Sequence, residues 1–543
     1  MNPDIFSIHK YLIDAFRKAA EPFGAADVSV SIESPKDKSH GDFASPIAML
    51  LAKKLKKSPL SIAQDLINRL DLDPEIVLKT EIAPPGFINL RINPSLFHSG
   101  LELALRQGGD FGENDQEKNV KVILEFVSAN PTGPLNIVSA RAAALGDSIA
   151  NLLSASGAEV AREYYVNDAG VQARLFGESL LAACDRVKGL HTPAPENGYQ
   201  GAYMEDLAGE YIKLTPPPEP SEWGMNQVLG WHKKSLESYG VSFDRWFSEK
   251  KELHDTGLVR QTIADLQKAG LTYEKDGATW IKVSEFGAPK DEVVVKSDGQ
   301  FAYFAADIAY HLQKFKRGFN QVVDIWGPDH HGHILRMKSA LQAAGCDVKN
   351  FTVLISQQVN LMEGTEKVKM SKREGKFVTM DELLEKVGKD AARFFFVMRG
   401  ANSHLDFDIE VARKQTDENP VFYIQYAHAR ICSLLRKCEE KGLKPGNRAG
   451  EFISLIEPEA FLLLKEIMEY PQWVVESGRA YEPHRMVAYL QTLAGDFHLF
   501  YSKHRFLDAP ADVAKARLSL ALGVKTVIQN ALGLLGVSAP EQM

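Results

Sequence analysis

The sequence predicts a multidomain α/β protein, with a parallel sheet set between a small α+β module and an all-α C-terminal region. Three observations predict it. At 543 residues the chain is too long for one core, given roughly 100–200 residues per domain. Three near-continuous apolar runs, VKVILEFV (120–127), QVVDIWG (321–327) and FTVLIS (351–356), have the texture of strands buried on both faces of a parallel sheet. The first two lead through a short loop into helical periodicity, and from about Asp390 onward the long segments are helical in pattern.

Each part follows from local pattern. Residues 1–110 read as the α+β module: Ser45 to Leu70 has helical periodicity with a basic cluster at Lys53, Lys54, Lys56 and Lys57, and VLKTEIAPPGFINLRI gives short extended segments around a Pro-Pro-Gly turn. GENDQEKN (112–119) is a polar linker into the sheet domain, 111–390. From about Ala140 the residues Leu145, Ile149, Leu152 and Leu153 fall on one helical face. Proline-rich, polar residues at 190–225 mark an insertion into the sheet domain, around 190–290. The helical region, 391–543, closes the chain.

Composition narrows the function. Hydrophobic residues at 45% and charged residues at 25% describe a folded protein. A formal charge of −8 excludes binding of nucleic acid through the average field and requires local basic patches. The cysteines (Cys184, Cys346, Cys432, Cys438) are scattered and make no zinc spacing, which suits a reducing cytosol. The N-terminus lacks a signal-peptide layout and no apolar run reaches the roughly 18 residues that span a bilayer, so a cytoplasmic protein with no membrane association is expected.

Four segments carry chemistry. The loop SANPTGP opens a helix whose free N–H groups suit a phosphate, although neither a Walker-type nor a dinucleotide glycine motif is present. The stretch TEKVKMSKREGK (365–376) sets five cations against two carboxylates, with Gly364 and Gly375 permitting motion, a loop able to clamp a triphosphate; Thr379-x-x-Glu382 then forms a capping box. Gly327-Pro328-Asp329-His330-His331, at the end of a strand, offers a carboxylate to ribose hydroxyls and imidazoles to a base or phosphates; a metal is the weaker reading, because no third ligand has sensible spacing. After the Asp298-Gly299 turn, Tyr303 and Asp307 share a helix face, a hydroxyl beside a carboxylate that could hold a guanidinium.

Together these segments resemble the class I aminoacyl-tRNA synthetases, and among them the bacterial-type arginyl-tRNA synthetases. EFVSANPTGPL, REYYVNDAG, AYFAADIAYHLQKF, WGPDHHGHILRMKSAL and KMSKREGKFVTMDELL resemble that family's Rossmann-like catalytic domain. HGDFASPIAMLLAKKL and APPGFINLRI resemble its N-terminal module, which contacts the tRNA elbow, and NPVFYIQYAHARI resembles the entry to its helical anticodon-binding domain. The resemblance implies a monomeric enzyme that activates L-arginine with Mg-ATP and transfers it to tRNA(Arg), with no resident metal. It assigns arginine to Glu125, Ser128, Asn130, Tyr303 and Asp307. It assigns ATP to Pro134, Asn136, Val138, Ser139, Gly327, Asp329, His331, Met370 and Lys372, and catalysis to Asn136, Ser139, Lys369 and Lys372.

One departure matters. Where the family reads H-[IV]-G-H, this chain reads Asn136-Ile137-Val138-Ser139. The amide and hydroxyl can donate hydrogen bonds but cannot carry charge, and valine stands where glycine lets a base approach the backbone. Either the adenine sits differently or the helix start is shifted. The same departure motivates a second reading, a tRNA-binding protein whose catalytic site is impaired. It also puts more of the phosphate charge on the lysine loop. Lys369→Ala and Lys372→Ala should therefore lower ATP–pyrophosphate exchange by a larger factor here than the matching substitutions do in a relative that keeps both histidines. Equal factors would refute that division of labour.

Overall fold

The apolar runs form one parallel sheet. This computed structural model describes residues 5–24, 28, 30–33, 35, 40–364, 366–367 and 378–543. Strands β1 (Lys121–Glu125), β2 (Glu159–Val166), β3 (Arg245–Ser248), β4 (Gln321–Trp326) and β5 (Phe351–Ile355) lie in the order β5-β4-β1-β2-β3. Every neighbouring pair is parallel. The order reverses between β1 and β4, the point at which doubly wound sheets bind ligands beyond the carboxyl ends of their strands. In register across that junction, Glu125 lies beside Asp324. β1 is shorter than its apolar run because Val127 (φ 67°) and Ser128 (φ 40°) are left-handed and cannot extend a strand.

Helix α1 (Ile137–Ala155) starts ahead of the point where its periodicity becomes visible, because Asn136 caps it. The Asn136 backbone is extended and its Oδ1 accepts from the N–H groups of Val138 and Ser139, both at 3.0 Å. α1 lies close on the sheet at Gly146, where a Cβ would fall 2.2 Å from the Phe126 ring. The insertion is largely ordered. α2 (Gly170–Val187), α3 (Ala202–Tyr211) and α4 (Pro220–Ser238) share a small core around Phe176, Leu180, Met204, Leu207 and Val228. The proline-rich stretch is thus not all loop: α3 occupies its middle and Pro220 opens α4. A three-stranded antiparallel sheet of Thr272–Lys275, Ala278–Ile281 and Glu292–Val295 follows. The turn at Asp298-Gly299 (Gly299 φ 79°) delivers the chain to α5 (Tyr303–Lys316), and α6 (His331–Ala343) follows β4.

In the N-terminal module the expected helix 45–70 is two helices, Ile47–Leu55 and Pro59–Ile67. Lys56 is left-handed (φ 52°), Ser58 caps the second helix and Pro59 fills its first position, so a local stop and start overrides continuous periodicity. Beyond the sheet, α7 (Met380–Val387) begins with the expected capping box, Thr379 and Glu382 bonding to each other's backbone N–H at 3.1 and 2.7 Å. Helices α8 (Lys389–Val397), α9 (Pro420–Glu440), α10 (Pro458–Arg479), α11 (His484–Lys503) and α12 (Ala511–Leu534) complete the chain. Among the described residues no helix is long and apolar enough to cross a membrane.

Two buried arginines join these parts. Arg141 on α1 donates to the carbonyls of Gln357 (2.9 Å) and Gly400 (3.0 Å). Arg393 on α8 is 0% exposed and donates to Leu535 O (2.9 Å), Tyr239 O (3.1 Å) and Asp147 Oδ2 (2.5 Å). Gly536 makes room for it, since a Cβ there would fall 2.2 Å from the guanidinium. Arg393→Leu strands one carboxylate and two carbonyls, and should cost about 3–5 kcal/mol, the range for breaking a buried pair from one side. Chemical denaturation followed by intrinsic fluorescence measures it, and a loss under about 1 kcal/mol would deny Arg393 its joining role.

Candidate functional site

The switch point between β1 and β4 is occupied by charge. Lys314 on α5 is 0% exposed and its Nζ lies 2.5 Å from Glu125 Oε2 and 2.7 Å from Asp324 Oδ1. His311, one turn earlier, places Nε2 2.7 Å from Asp324 Oδ2 and Nδ1 2.8 Å from the carbonyl of Asp307. Both ring nitrogens face acceptors, so a proton sits on both or Asp324 carries one. Burial raises the Glu125 carboxyl, and Lys314 only partly offsets it. Burial also acts on Asp324, but there Lys314 and His311 outweigh it and the carboxyl ends below its usual range. Glu125, His311 and Asp324 would offer a metal three atoms within 4.8 Å of one another, yet the Lys314 ammonium already bonds to both carboxylates.

Above this cluster opens a cavity of about 380 Å³. The expected arginine set, Glu125, Ser128, Asn130, Tyr303 and Asp307, lies in its wall. The left-handed turn at Val127 and Ser128 folds the Ser128 hydroxyl back to Glu125 Oε1 (2.9 Å), and the same hydroxyl accepts from the Tyr165 N–H (3.1 Å). At the head of α5, Tyr303 is 57% exposed while Asp307 is 8% exposed, the reverse of what a helix face selected only for packing would show. One oxygen of Asp307 lies 3.1 Å from His333 Nε2.

The expected ATP set is only partly gathered. Gly327 lines the cavity; Asp329 is exposed and lines an adjoining recess of about 510 Å³ with Tyr303, His330 and His333. His331 is exposed at the first turn of α6 and lies in neither wall; His330 and His333 face the cavity instead. Pro134 and Ser139 are half-buried at the mouth of α1, and half-buried Val138 packs against the main core. The Asn136 Oδ1 is committed to the helix cap, which leaves its Nδ2 as the group able to donate outward. The start of α1 is therefore fixed by the Asn136 cap. Lys369, Met370 and Lys372 lie outside the described residues. The described residues on either side are anchored: Glu366–Lys367 pairs with Val359–Glu363, and Thr379 bridges to Asn136 with Met380 N–H donating to Leu135 O at 2.8 Å.

Sequence pattern missed several wall residues. Tyr165, Asn167 and Gln172 line the cavity from the end of β2 and the start of α2; they sit in YVNDAGVQ (165–172), a strand-to-helix segment whose position at a sheet's carboxyl edge was the available signal. Glu249 had no sequence signal. It is 6% exposed, its Oε1 meets His254 Nε2 at 3.1 Å and its Oε2 has no partner among the described residues. Burial raises its carboxyl, His254 and Tyr165 offset part of that, and the Asp307 charge raises it further. A cavity with the buried Asp307 carboxylate in its wall calls for a cationic ligand.

Comparison with known proteins agrees along the chain. Residues 7–92 match the arginyl tRNA synthetase N terminal domain, 233–402 the class I (R) tRNA synthetase catalytic domain, and 424–543 the DALR anticodon binding domain. The arginine–tRNA ligase of Moorella thermoacetica is 46% identical over 524 residues, covering 94% of this chain and 93% of its own. That of Thioalkalivibrio sulfidiphilus is 42% identical over 100% of both chains. The chain belongs to the arginyl-tRNA synthetase family. Among solved structures, a putative arginyl tRNA synthetase from Campylobacter jejuni superposes with TM-score 0.76 at 32% identity, covering 83% of this chain and 100% of its own. The Thermus thermophilus arginyl-tRNA synthetase shares the fold with TM-score 0.80 at 24% identity, covering 98% and 100%. As an arginine–tRNA ligase, this synthetase acts on a cationic amino acid.

One buried histidine gives the site region a pH limit. His232 on α4 is 1% exposed, and burial lowers it from 6.5 to about 4. The unfolded chain binds that proton between these values and the folded protein does not, so this contribution is complete above pH 6.5 and is lost as pH falls towards 4. The loss amounts to about 3 kcal/mol. Denaturation midpoints across that window should fall with acid for the native protein and less steeply for His232→Gln; parallel curves would refute the assignment.

Proposed function

We propose that arginine enters the cavity at the switch point with its guanidinium on Asp307 and Tyr303, and that its carboxylate points towards the N-terminus of α1. The observation that carries this is Asp307: a carboxylate 8% exposed in a cavity wall, with only an imidazole at 3.1 Å against it. Glu125 is neutralised by Lys314 and serves as wall, so Asp307 is left to select the positive charge.

ATP, carried as its Mg²⁺ complex, then lies between the mouth of α1 and the lysine loop. The arginine carboxylate attacks the α-phosphorus, the bond to the bridging oxygen breaks, and pyrophosphate leaves with the charge that Lys369 and Lys372 stabilise. A terminal ribose hydroxyl of the tRNA next attacks the arginyl carbonyl and AMP departs. Little covalent chemistry falls to the protein, so positioning and charge stabilisation carry both steps. Asn136 Nδ2, Ser139 and the free N–H groups of α1 supply neutral donors where relatives use imidazoles.

The tRNA has two surfaces available. On the helical domain Tyr426 is 39% exposed, stacks on Phe422 (6.1 Å, 5° between planes) and His498 (6.0 Å, 26°), and lies under Arg430 (4.7 Å). Such a cation-backed aromatic step suits unpaired anticodon bases. On the N-terminal module Lys53, Lys54, Lys56 and Lys57 are exposed and suit phosphates. The unpaired cysteines fit a cytosolic enzyme, and we take it to act as a monomer.

The competing reading, a tRNA-binding protein with an impaired site, rests on Asn136-Ile137-Val138-Ser139 alone. Arginine-dependent ATP–pyrophosphate exchange with tRNA present separates the two, since a folded protein that binds tRNA and exchanges nothing would leave only the second. Asp307→Ala should raise the arginine KM about a hundredfold or more, the scale of a lost charge-assisted pair, with tRNA affinity within about twofold. An unchanged arginine KM would remove Asp307 from the pocket.

A further inference from the structure

We infer that Tyr203 and His232, two side chains of the insertion, are positioning residues for the nucleotide step: they hold the loop between β1 and α1 by its carbonyls and so orient its free amides. This rests on the reading of the α1 mouth as the ATP end of the site.

The loop 129–133, Ala-Asn-Pro-Thr-Gly, has little internal structure. Its own backbone closes one contact, Thr132 N–H to Asn130 O at 2.7 Å, and Pro131 has no N–H to give. Its remaining order comes from outside. Ala129 O accepts from the Tyr164 hydroxyl at 2.9 Å, Thr132 O from the Tyr203 hydroxyl at 2.9 Å, and Gly133 O from His232 Nε2 at 2.8 Å. The Asn130 side chain donates to Gln172 at 2.6 Å. Tyr164 belongs to the sheet, but Tyr203 lies on α3 and His232 on α4, and both helices belong to the insertion.

The chemistry of His232 fits a clamp. A carbonyl only accepts, so Nε2 carries the proton; in the neutral ring Nδ1 is then an acceptor, and the single Tyr164 hydroxyl proton is shared between Nδ1 and Ala129 O, each 2.9 Å away. Burial favours that neutral form. The fit is also close: a Cβ on Gly133 would come within 3.4 Å of the Tyr203 hydroxyl.

What the clamp achieves follows from peptide planarity. In a trans peptide the N–H points opposite to the carbonyl of the same unit. Ala129 O and Thr132 O are drawn into the clamp, so the N–H groups of Asn130 and Gly133 are turned away from it. Neither has a hydrogen-bond partner among the described residues. Three residues later Asn136 opens α1. Two free donors held beside a helix N-terminus are an anion-binding arrangement, and they stand where this chain lacks the imidazoles of its relatives.

The test uses the full-length enzyme with tRNA(Arg), arginine and ATP, and three variants. Tyr203→Phe and His232→Phe each remove one clamp bond and should lower kcat/KM for ATP in pyrophosphate exchange by about tenfold, the scale of one hydrogen bond. The arginine KM and tRNA affinity should stay near their native values, which a general loss of structure would not leave alone. His232→Gln keeps a donor for Gly133 O and an acceptor for Tyr164, and should recover most of the loss. Native kcat/KM in both Phe variants, or a deficit that glutamine does not relieve, would overturn the clamp. Should His232→Phe fail to fold, Tyr203→Phe and His232→Gln decide the matter. Exchange absent from the native protein would count against the ligase reading instead, and the clamp would then be judged by titration of ATP binding, which should weaken in Tyr203→Phe and not in His232→Gln.

Discussion

The ammonium of Lys314 is what the site depends on. A parallel register that sets β1 beside β4 also sets Glu125 beside Asp324, two carboxylates at the reversal of strand order with no solvent to separate them. Left alone they would repel, and one would stay protonated. Lys314 bonds to both, and His311 takes the remaining oxygen of Asp324, so four ionisable groups form one closed set. The cost of burying them is high, and the arrangement stands only because each has a partner. What it secures is geometry. α5 is fastened to the sheet one turn beyond Asp307, and Glu125 is held where Ser128 can close the strained turn that shapes the cavity.

A second constraint is the division of labour around ATP. With an amide and a hydroxyl at 136 and 139, no imidazole contributes charge from that segment. The Asn136 oxygen caps α1, which fixes where the free N–H groups begin, and the Asn136–Thr379 bridge ties this start to the far end of the lysine loop segment. In the proposed site, neutral donors on one side and lysine charge on the other would be a workable combination, because stabilisation of a leaving pyrophosphate depends on alignment as well as on total charge.

Legibility in the sequence followed the range of the interactions. Sheet strands, the capping box at Thr379, the Asp298-Gly299 turn and the Tyr303/Asp307 pair were readable because each rests on neighbours within a few residues. The break at Lys56–Ser58 and the early start of α1 were hidden for a related reason: single capping residues outweigh a periodic pattern that otherwise runs on. His333 and the Lys314 cluster could not be read, since their partners lie from 10 to 189 residues away and only the folded sheet brings them together. His331 shows the limit of motif reading, because a two-residue shift in helix phase exchanges the imidazole that faces the cavity for one that faces solvent.

Helix α1 gathers these threads. Its first turn is the proposed mouth of the nucleotide site. One turn on, Arg141 holds the backbone at Gln357 and Gly400, the approach to the lysine loop and the exit towards the helical domain. Farther along, Asp147 receives Arg393, while Ser148 and Asn151 donate to Leu535 and Leu534 at the end of α12. The second half of α1 is thus bonded to the end of the last helix of the chain. A rigid helix transmits displacement along its axis with little loss, since its own hydrogen bonds resist local bending. The helical domain therefore helps to set where the mouth of α1 lies. The insertion sets the loop in front of it, through Tyr203 and His232. The cavity is walled by side chains of α5 as well as of the sheet, and the loop in front of α1 is held by parts of the chain that lie outside that sheet.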